Sequence, residues 1–176
     1  TKMQEHMTIV KINDRLAVYN IDKGIYETRA DFFHNVIFWL EPSFSEAKSN
    51  QVIFHLKNMA KEVESTASRD LVPVKNGIYN KKTKKLEPFS NRYVFTSTIE
   101  TEYIEEIEAP SINGWNVDDW LLDLMSGDEE LVKLLWQVIS ASLNGNYSYR
   151  KSIWFVGEGN DGKGTLQQLI SNLVGL

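Results

Sequence analysis

The sequence predicts an α+β N-terminal domain over residues 1–110, a helical linker over 111–150 and the truncated start of an α/β domain over 151–176. Three observations carry that division. Short β-branched and aromatic runs separated by turn residues, with helical stripes between them, fill the first section. Two apolar stripes at helical spacing, each preceded by a capping residue, fill the second. In the third, the apolar run Ile153, Trp154, Phe155, Val156 leads into a glycine-rich segment and then into another helical stripe.

Composition narrows the class. The chain has 176 residues, 42% of them hydrophobic and 24% charged, which suits a globular protein with one good core or two small ones. No apolar stretch approaches the ~20 residues that span a bilayer, and no membrane partner is expected. The polar start, from Thr1 to Met7, lacks the apolar core of a signal peptide. Without cysteine there are no disulfides and no thiolate metal sites, which suits a cytoplasmic protein. His6, His34 and His55 are scattered, as core or surface histidines are. A net charge of −5 argues against a chain that coats DNA, and leaves room for a local basic patch.

In the first section, residues 16–20 and 24–28 read as strands of a hairpin around Ile21, Asp22 and Lys23. Phe33, Val36, Ile37 and Leu40 form a helical stripe stopped by Pro42. Ser43 and Glu46 have the S-x-x-E spacing of a capping box, and the helix after them carries Val52, Leu56, Met59, Ala60 and Val63. Leu71, Val72, Pro73 and Val74 lead to the turn signal Asn76-Gly77, then Ile78 and Tyr79; Pro73 suits an edge strand. Residues 93–96 read as a further strand. Lys81, Lys82, Lys84 and Lys85 lie at the tip of a hairpin, where they suit either contacts to a phosphate backbone or a solvated turn. The acidic stretch 100–108 reads as a solvated segment ending at a boundary near Ala109-Pro110.

In the linker, Asn116 caps a helix with Val117, Trp120, Leu121 and Leu124 on one face, and Gly127 ends it. Asp128 caps the next helix, where Glu129 and Glu130 favour the positive N-terminus. Its residues Leu131, Leu134, Leu135, Val138 and Ile139 are expected to pack inward, and Asn144-Gly145-Asn146 stops it. Trp115, Trp120 and Trp136 are expected in the core.

The third section carries the chemistry. Gly157, Glu158, Gly159, Asn160, Asp161, Gly162, Lys163, Gly164 and Thr165 spell G-x-x-x-x-G-K, the phosphate-binding loop of nucleoside triphosphatases. Glycines permit positive φ and let backbone N–H groups approach a dense negative charge. The following helix N-terminus adds to that anion site. Lys163 is the candidate catalytic residue, a mobile point charge for the β- and γ-phosphates of ATP. The alternative is a plain glycine-rich turn. The run 153–156 suits a strand buried on both faces, and Leu166, Leu169, Ile170 and Leu173 give one helical face. Together they make this section the truncated start of an α/β P-loop NTPase domain. One position departs from the strict motif. Gly164 stands where Ser or Thr normally binds Mg²⁺, and Thr165 follows one residue later. Nucleotide binding is therefore better supported than hydrolysis, and the metal ligands stay open.

The pieces resemble a known arrangement. The stretch from Leu71 to Tyr79, with Leu86, Glu87, Pro88, Phe89, Ser90 and the run 93–96, resembles the strand-turn region of phage and plasmid primase-helicases. The stretch from Trp115 to Leu143, then Trp154 to Thr165, is similar to their helical linker and phosphate loop. These are superfamily 3 helicases of the poxvirus, phage and mobile-element replication type, and the resemblance extends from about Tyr19 onward. It implies a homo-hexameric ring that moves on DNA using ATP and Mg²⁺ in a bacterial host or phage-infected cell, with nucleotide sites between subunits. Lys163 and Thr165 match the family's phosphate-loop positions. Its acidic metal residues, sensor and arginine finger lie downstream of the loop and its primase module upstream. The expectation is a fragment: the domain before the motor, plus the motor's first strand, loop and helix, inactive alone. Two other readings stand beside it, a non-enzymatic DNA-docking or ring-assembly module and a small-molecule kinase. The long stretch before the loop argues against the kinase.

Overall fold

The computed structural model describes residues 7–108 and 110–175; His6 and Ala109 lie outside them. Two largely apolar strands start the first sheet, β1 (Ile9–Ile12) and β2 (Arg15–Asn20). They pair through a two-residue turn, Asn13 and Asp14, at φ of 49° and 59°. That left-handed pair matches the twist of a hairpin, and Asn and Asp tolerate it best after glycine. The sequence reading missed β1, in which Val10 and Ile12 flank Lys11 and are buried. The expected hairpin of β2 with β3 (Ile25–Glu27) is present. Asn20 Oδ1 accepts from the N–H groups of Asp22 and Lys23 in its turn.

Two helices cover this sheet, α1 (Ala30–Leu40) and α2 (Glu46–Met59). Phe33 and Leu56 pack with Leu16 and Val18 in one buried cluster. The cap of α2 is Ser45, which accepts from Lys48 N–H, rather than Ser43, whose hydroxyl bonds Glu41. A proline at position 42 and a second serine shifted the start by two residues. The helix also stops before Val63. Ala60 leaves helical geometry at ψ 139°, and β4 (Lys61–Glu62) pairs parallel with β1, giving the order β3-β2-β1-β4. Pairing with a free strand edge, with Lys11 and Glu62 3.1 Å apart, outweighs one more helical turn there.

The second sheet is antiparallel, β5 (Leu71–Val74), β6 (Gly77–Asn80) and β7 (Lys85–Glu87) in that order. Val74 pairs with Gly77 across a turn of Lys75 and Asn76, one residue earlier than the Asn76-Gly77 signal predicts, so Gly77 opens β6; Pro73 lies on the edge strand. Residues 93–96 do not form the expected strand. Their backbone groups find partners one at a time: Phe95 O accepts from Tyr26 N–H at 2.7 Å, Val94 O from Thr66 N–H at 2.9 Å, and Thr96 N–H donates to Asn146 Oδ1 at 3.0 Å. No ladder results, but Phe95 is fully buried with Ile25 and Ile78 and joins the two sheets.

Three helices follow, α3 (Val117–Leu124), α4 (Glu129–Ser142) and α5 (Lys163–Val174). Asn116 and Asp128 cap the first two as expected. Leu121, Leu135, Ile139 and Leu166 form their shared core, with Trp120, Leu169, Ile170 and Leu173 against it. Leu131, Leu134, Trp115 and Trp136, expected inside, are exposed. A single packed face of α4 serves α3 and α5, so of its stripe Leu135 and Ile139 are buried and Val138 is half-buried. Asn144 and Asn146 do more than stop the helix. Asn144 Nδ2 donates to Ser68 O at 2.7 Å, and Asn146 Nδ2 donates to Ser97 O at 2.8 Å, which ties α4 to the sheets. A further buried cluster draws Val72, Val74 and Ile99 together with Leu143 and Val174, residues from all three expected sections. No described helix is long and apolar enough to cross a membrane.

Candidate functional site

The expected strand 153–156 is absent. Trp154 is 85% and Val156 91% exposed, and the run lies open beside Leu131 and Leu134. A strand buried on both faces needs neighbours to pair with, and none pairs with it among the described residues.

The glycine-rich loop that follows has a defined shape. Gly159, Asn160 and Gly162 take φ of 105°, 51° and 79°, so the chain turns sharply into α5. At Gly162 the conformation and the space both favour glycine, because a Cβ would lie 2.5 Å from Leu124 Cδ1. Gly157 and Gly164 are not left-handed. Gly157 leaves room for the Asp161 carboxylate, and Gly164 faces open space. Residues 159–165 line a shallow concavity at the start of α5.

Electrostatics organise this concavity. Lys163 Nζ bonds the Asp161 carboxylate. That bond, with nearby backbone N–H groups of Asp161 and Lys163, holds the Asp161 carboxyl below the usual carboxylate range. The N-terminus of α5 has no side-chain cap, as at α1 and in contrast to the starts of α2, α3 and α4. Gly162 supplies no capping side chain, and the Asp161 carboxylate near the Lys163 N–H shows that this helix start attracts an anionic group. Glu158 and Thr165 are exposed beside it.

The four hairpin lysines divide. Lys81 Nζ reaches Ser140 on α4, and Lys82 pairs with Asp70 at 2.9 Å. Lys84 and Lys85 are exposed and have no ion pair among the described residues. The tip is thus part of a larger surface with α4. Sequence reasoning did not single out Arg69, Tyr147 and Tyr149, which lie on it. The signal was there in Tyr147-x-Tyr149-Arg150-Lys151, aromatics running into basic residues. The acidic stretch 100–108 is largely exposed, anchored by Tyr103 stacked on Tyr79 at 4.4 Å and by a Lys75–Glu102 pair. No cluster of His, Asp or Glu suited to a metal ion occurs among the described residues.

No curated protein matches the sequence. The family described as D5 N terminal like matches residues 34–125, from within α1 to the end of α3, and this domain is found in phage and plasmid primase-helicase proteins. The match covers more than half the chain and ends before the glycine-rich loop. That match takes in most of α1, all of α2, the second sheet and the capped α3, and over that span the chain belongs to the D5 N terminal like family.

Proposed function

We propose that the chain is the part of a phage or mobile-element replicative DNA helicase that leads into its motor, and that residues 157–165 bind the phosphates of ATP. The observation that carries the reading is the uncapped start of α5 behind a left-handed turn, with Lys163 in its first turn. Family membership supplies the context. The donor set suits a polyphosphate. Lys163 Nζ contributes a point charge, and the α5 N–H groups contribute dipoles. Asp161 occupies Lys163 here and has to yield when phosphate arrives. ATP, when bound, supplies the phosphoryl group whose loss drives motion. Mg²⁺ is less well provided for. Gly164 has no side chain, which leaves the exposed Thr165 hydroxyl as the loop's nearest oxygen donor in that part of the motif.

In this reading the complete protein unwinds DNA as a homo-hexamer in the cytoplasm of a bacterial host or phage-infected cell. The 176-residue chain binds nucleotide without turning it over. Calorimetry with ATP tests the site. Lys163→Ala should lose about 1.5–3 kcal/mol of affinity, and equal affinity in mutant and parent would refute a phosphate loop. Steady hydrolysis by the chain, abolished by the same substitution, would refute inactivity. A second reading, a non-enzymatic DNA-docking or ring-assembly module, is favoured by one observation: the family match lies wholly upstream of the loop.

A further inference from the structure

The tip of the β6–β7 hairpin, the second half of α4 and the residues after it meet on one surface. Lys81 Nζ donates to Ser140 Oγ at 3.2 Å, with the Ser140 carbonyl 3.4 Å away. Ser140 borders a shallow concavity whose walls include Trp136 and Tyr149. Those residues are 39% and 42% exposed. Arg69 joins the same surface. Its Nε donates to Tyr147 Oη at 2.7 Å, and its guanidinium lies 5.1 Å from the Tyr147 ring and 5.9 Å from the Tyr149 ring.

The charge here runs against that of the whole chain. Lys84 and Lys85 extend the surface at the hairpin tip, and Arg150 and Lys151 follow Tyr149 directly, all exposed. Asp70 is engaged by Lys82, and Glu87 accepts from Asn80 Nδ2. A chain of net charge −5 thus gathers cations that have no ion pair among the described residues beside partly exposed aromatic rings, of which Tyr149 also packs edge-on against Tyr147 at 5.0 Å. Cations track a phosphodiester backbone, and aromatic rings stack on bases. Paired bases in a duplex hide their faces in the stack, whereas a single strand offers them.

We infer that this surface binds single-stranded nucleic acid, with Trp136 and Tyr149 stacking on bases and Arg69, Lys84 and Lys85 following the backbone. The site is separate from the nucleotide loop and acts without ATP. Fluorescence anisotropy on the 176-residue chain tests it, using a labelled oligothymidylate, an oligouridylate and a duplex of equal length across a salt series. At least one single strand should bind, and the duplex should bind about tenfold more weakly; the tighter single strand tells DNA from RNA. Joint replacement W136A/Y149A should weaken binding about tenfold or more at every salt concentration, and W136F/Y149F should restore it. K84S/K85S should lower the log–log salt slope by about 0.7 for each phosphate that the variant leaves unneutralised. Absence of single-strand binding, equal binding of duplex, or W136A/Y149A binding like the parent would overturn the inference. So would a loss that the phenylalanine pair fails to restore. Lys163→Ala should leave these affinities unchanged, so the outcome is independent of the nucleotide reading.

Discussion

Leu71-Val72-Pro73-Val74 and Ile153-Trp154-Phe155-Val156 are both four-residue apolar runs followed by a glycine-containing turn. The first becomes β5, paired residue by residue with β6, and Val72 and Val74 are buried. The second forms no strand and stays exposed. The run 93–96 falls between them: no ladder, yet Phe95 is among the most buried side chains. A strand is a relation between two segments. An apolar run records the tendency to pair and to be covered; whether it does either depends on what the rest of the chain brings alongside. In β5 the partner is three residues away across a tight turn, so closing the pair costs little entropy.

This contrast can be broken by measurement. Phe95→Ala should destabilise the chain by about 3–5 kcal/mol in urea unfolding, since it empties the junction of the two sheets. Trp154→Ser, in the exposed run, should change stability by less than about 0.5 kcal/mol. Equal losses would show that 153–156 is covered in solution. A smaller effect is expected where the first hairpin meets the 88–90 segment. Gly24 has φ of 65°, and a Cβ there would lie 2.1 Å from Phe89 Cδ1. Gly24→Ala should therefore cost about 1–3 kcal/mol, and a neutral result would show that Phe89 moves away freely.

Two neighbouring tyrosines sharpen the comparison within the first sheet. Tyr26 Oη donates to Asn91 O at 2.8 Å, while the buried Tyr19 Oη has no partner among the described residues. Burial alone raises Tyr19, and burial with the neighbouring Tyr19 raises Tyr26. Tyr26→Phe should cost about 0.5–1.5 kcal/mol, and Tyr19→Phe should be neutral or slightly stabilising. A clear loss on Tyr19→Phe would reveal a hydrogen bond at that hydroxyl.

The smallest effect is electrostatic and belongs to the exposed loop. The Lys163 bond lowers the Asp161 carboxyl, so the pairing is complete at neutral pH. It should survive as pH falls past the ordinary aspartate range and be lost only as pH drops through the lowered value. NMR titration of the Asp161 carboxyl carbon reads this directly. An ordinary midpoint, or one unmoved by Lys163→Ala, would show that the two side chains do not pair in solution.

Much of the local structure was legible because its cause is local. Asn116 and Asp128 cap helices through their own side chains, a tight turn falls within one residue of the Asn76-Gly77 signal, and the spacing of Leu121, Leu166 and Leu169 marks packed faces. The glycine-rich loop belongs with these, since its left-handed residues and the start of α5 follow from residues 159–163 themselves. What sequence could not supply depends on distant partners. The short β4 exists only because β1, far upstream, offers an edge. Leu131, Leu134 and Trp136 share the pattern of buried residues, but α3 and α5 cover a single face of α4. Lys81 meets Ser140 across 59 positions, and Arg69 meets Tyr147 across 78. Local sequence therefore determined the caps, turns, helical faces and the loop. The tertiary structure alone decided which apolar runs pair, which tryptophans are covered, and that the basic hairpin stands beside open aromatic rings, because burial and charge clustering sum over neighbours that sequence distance conceals.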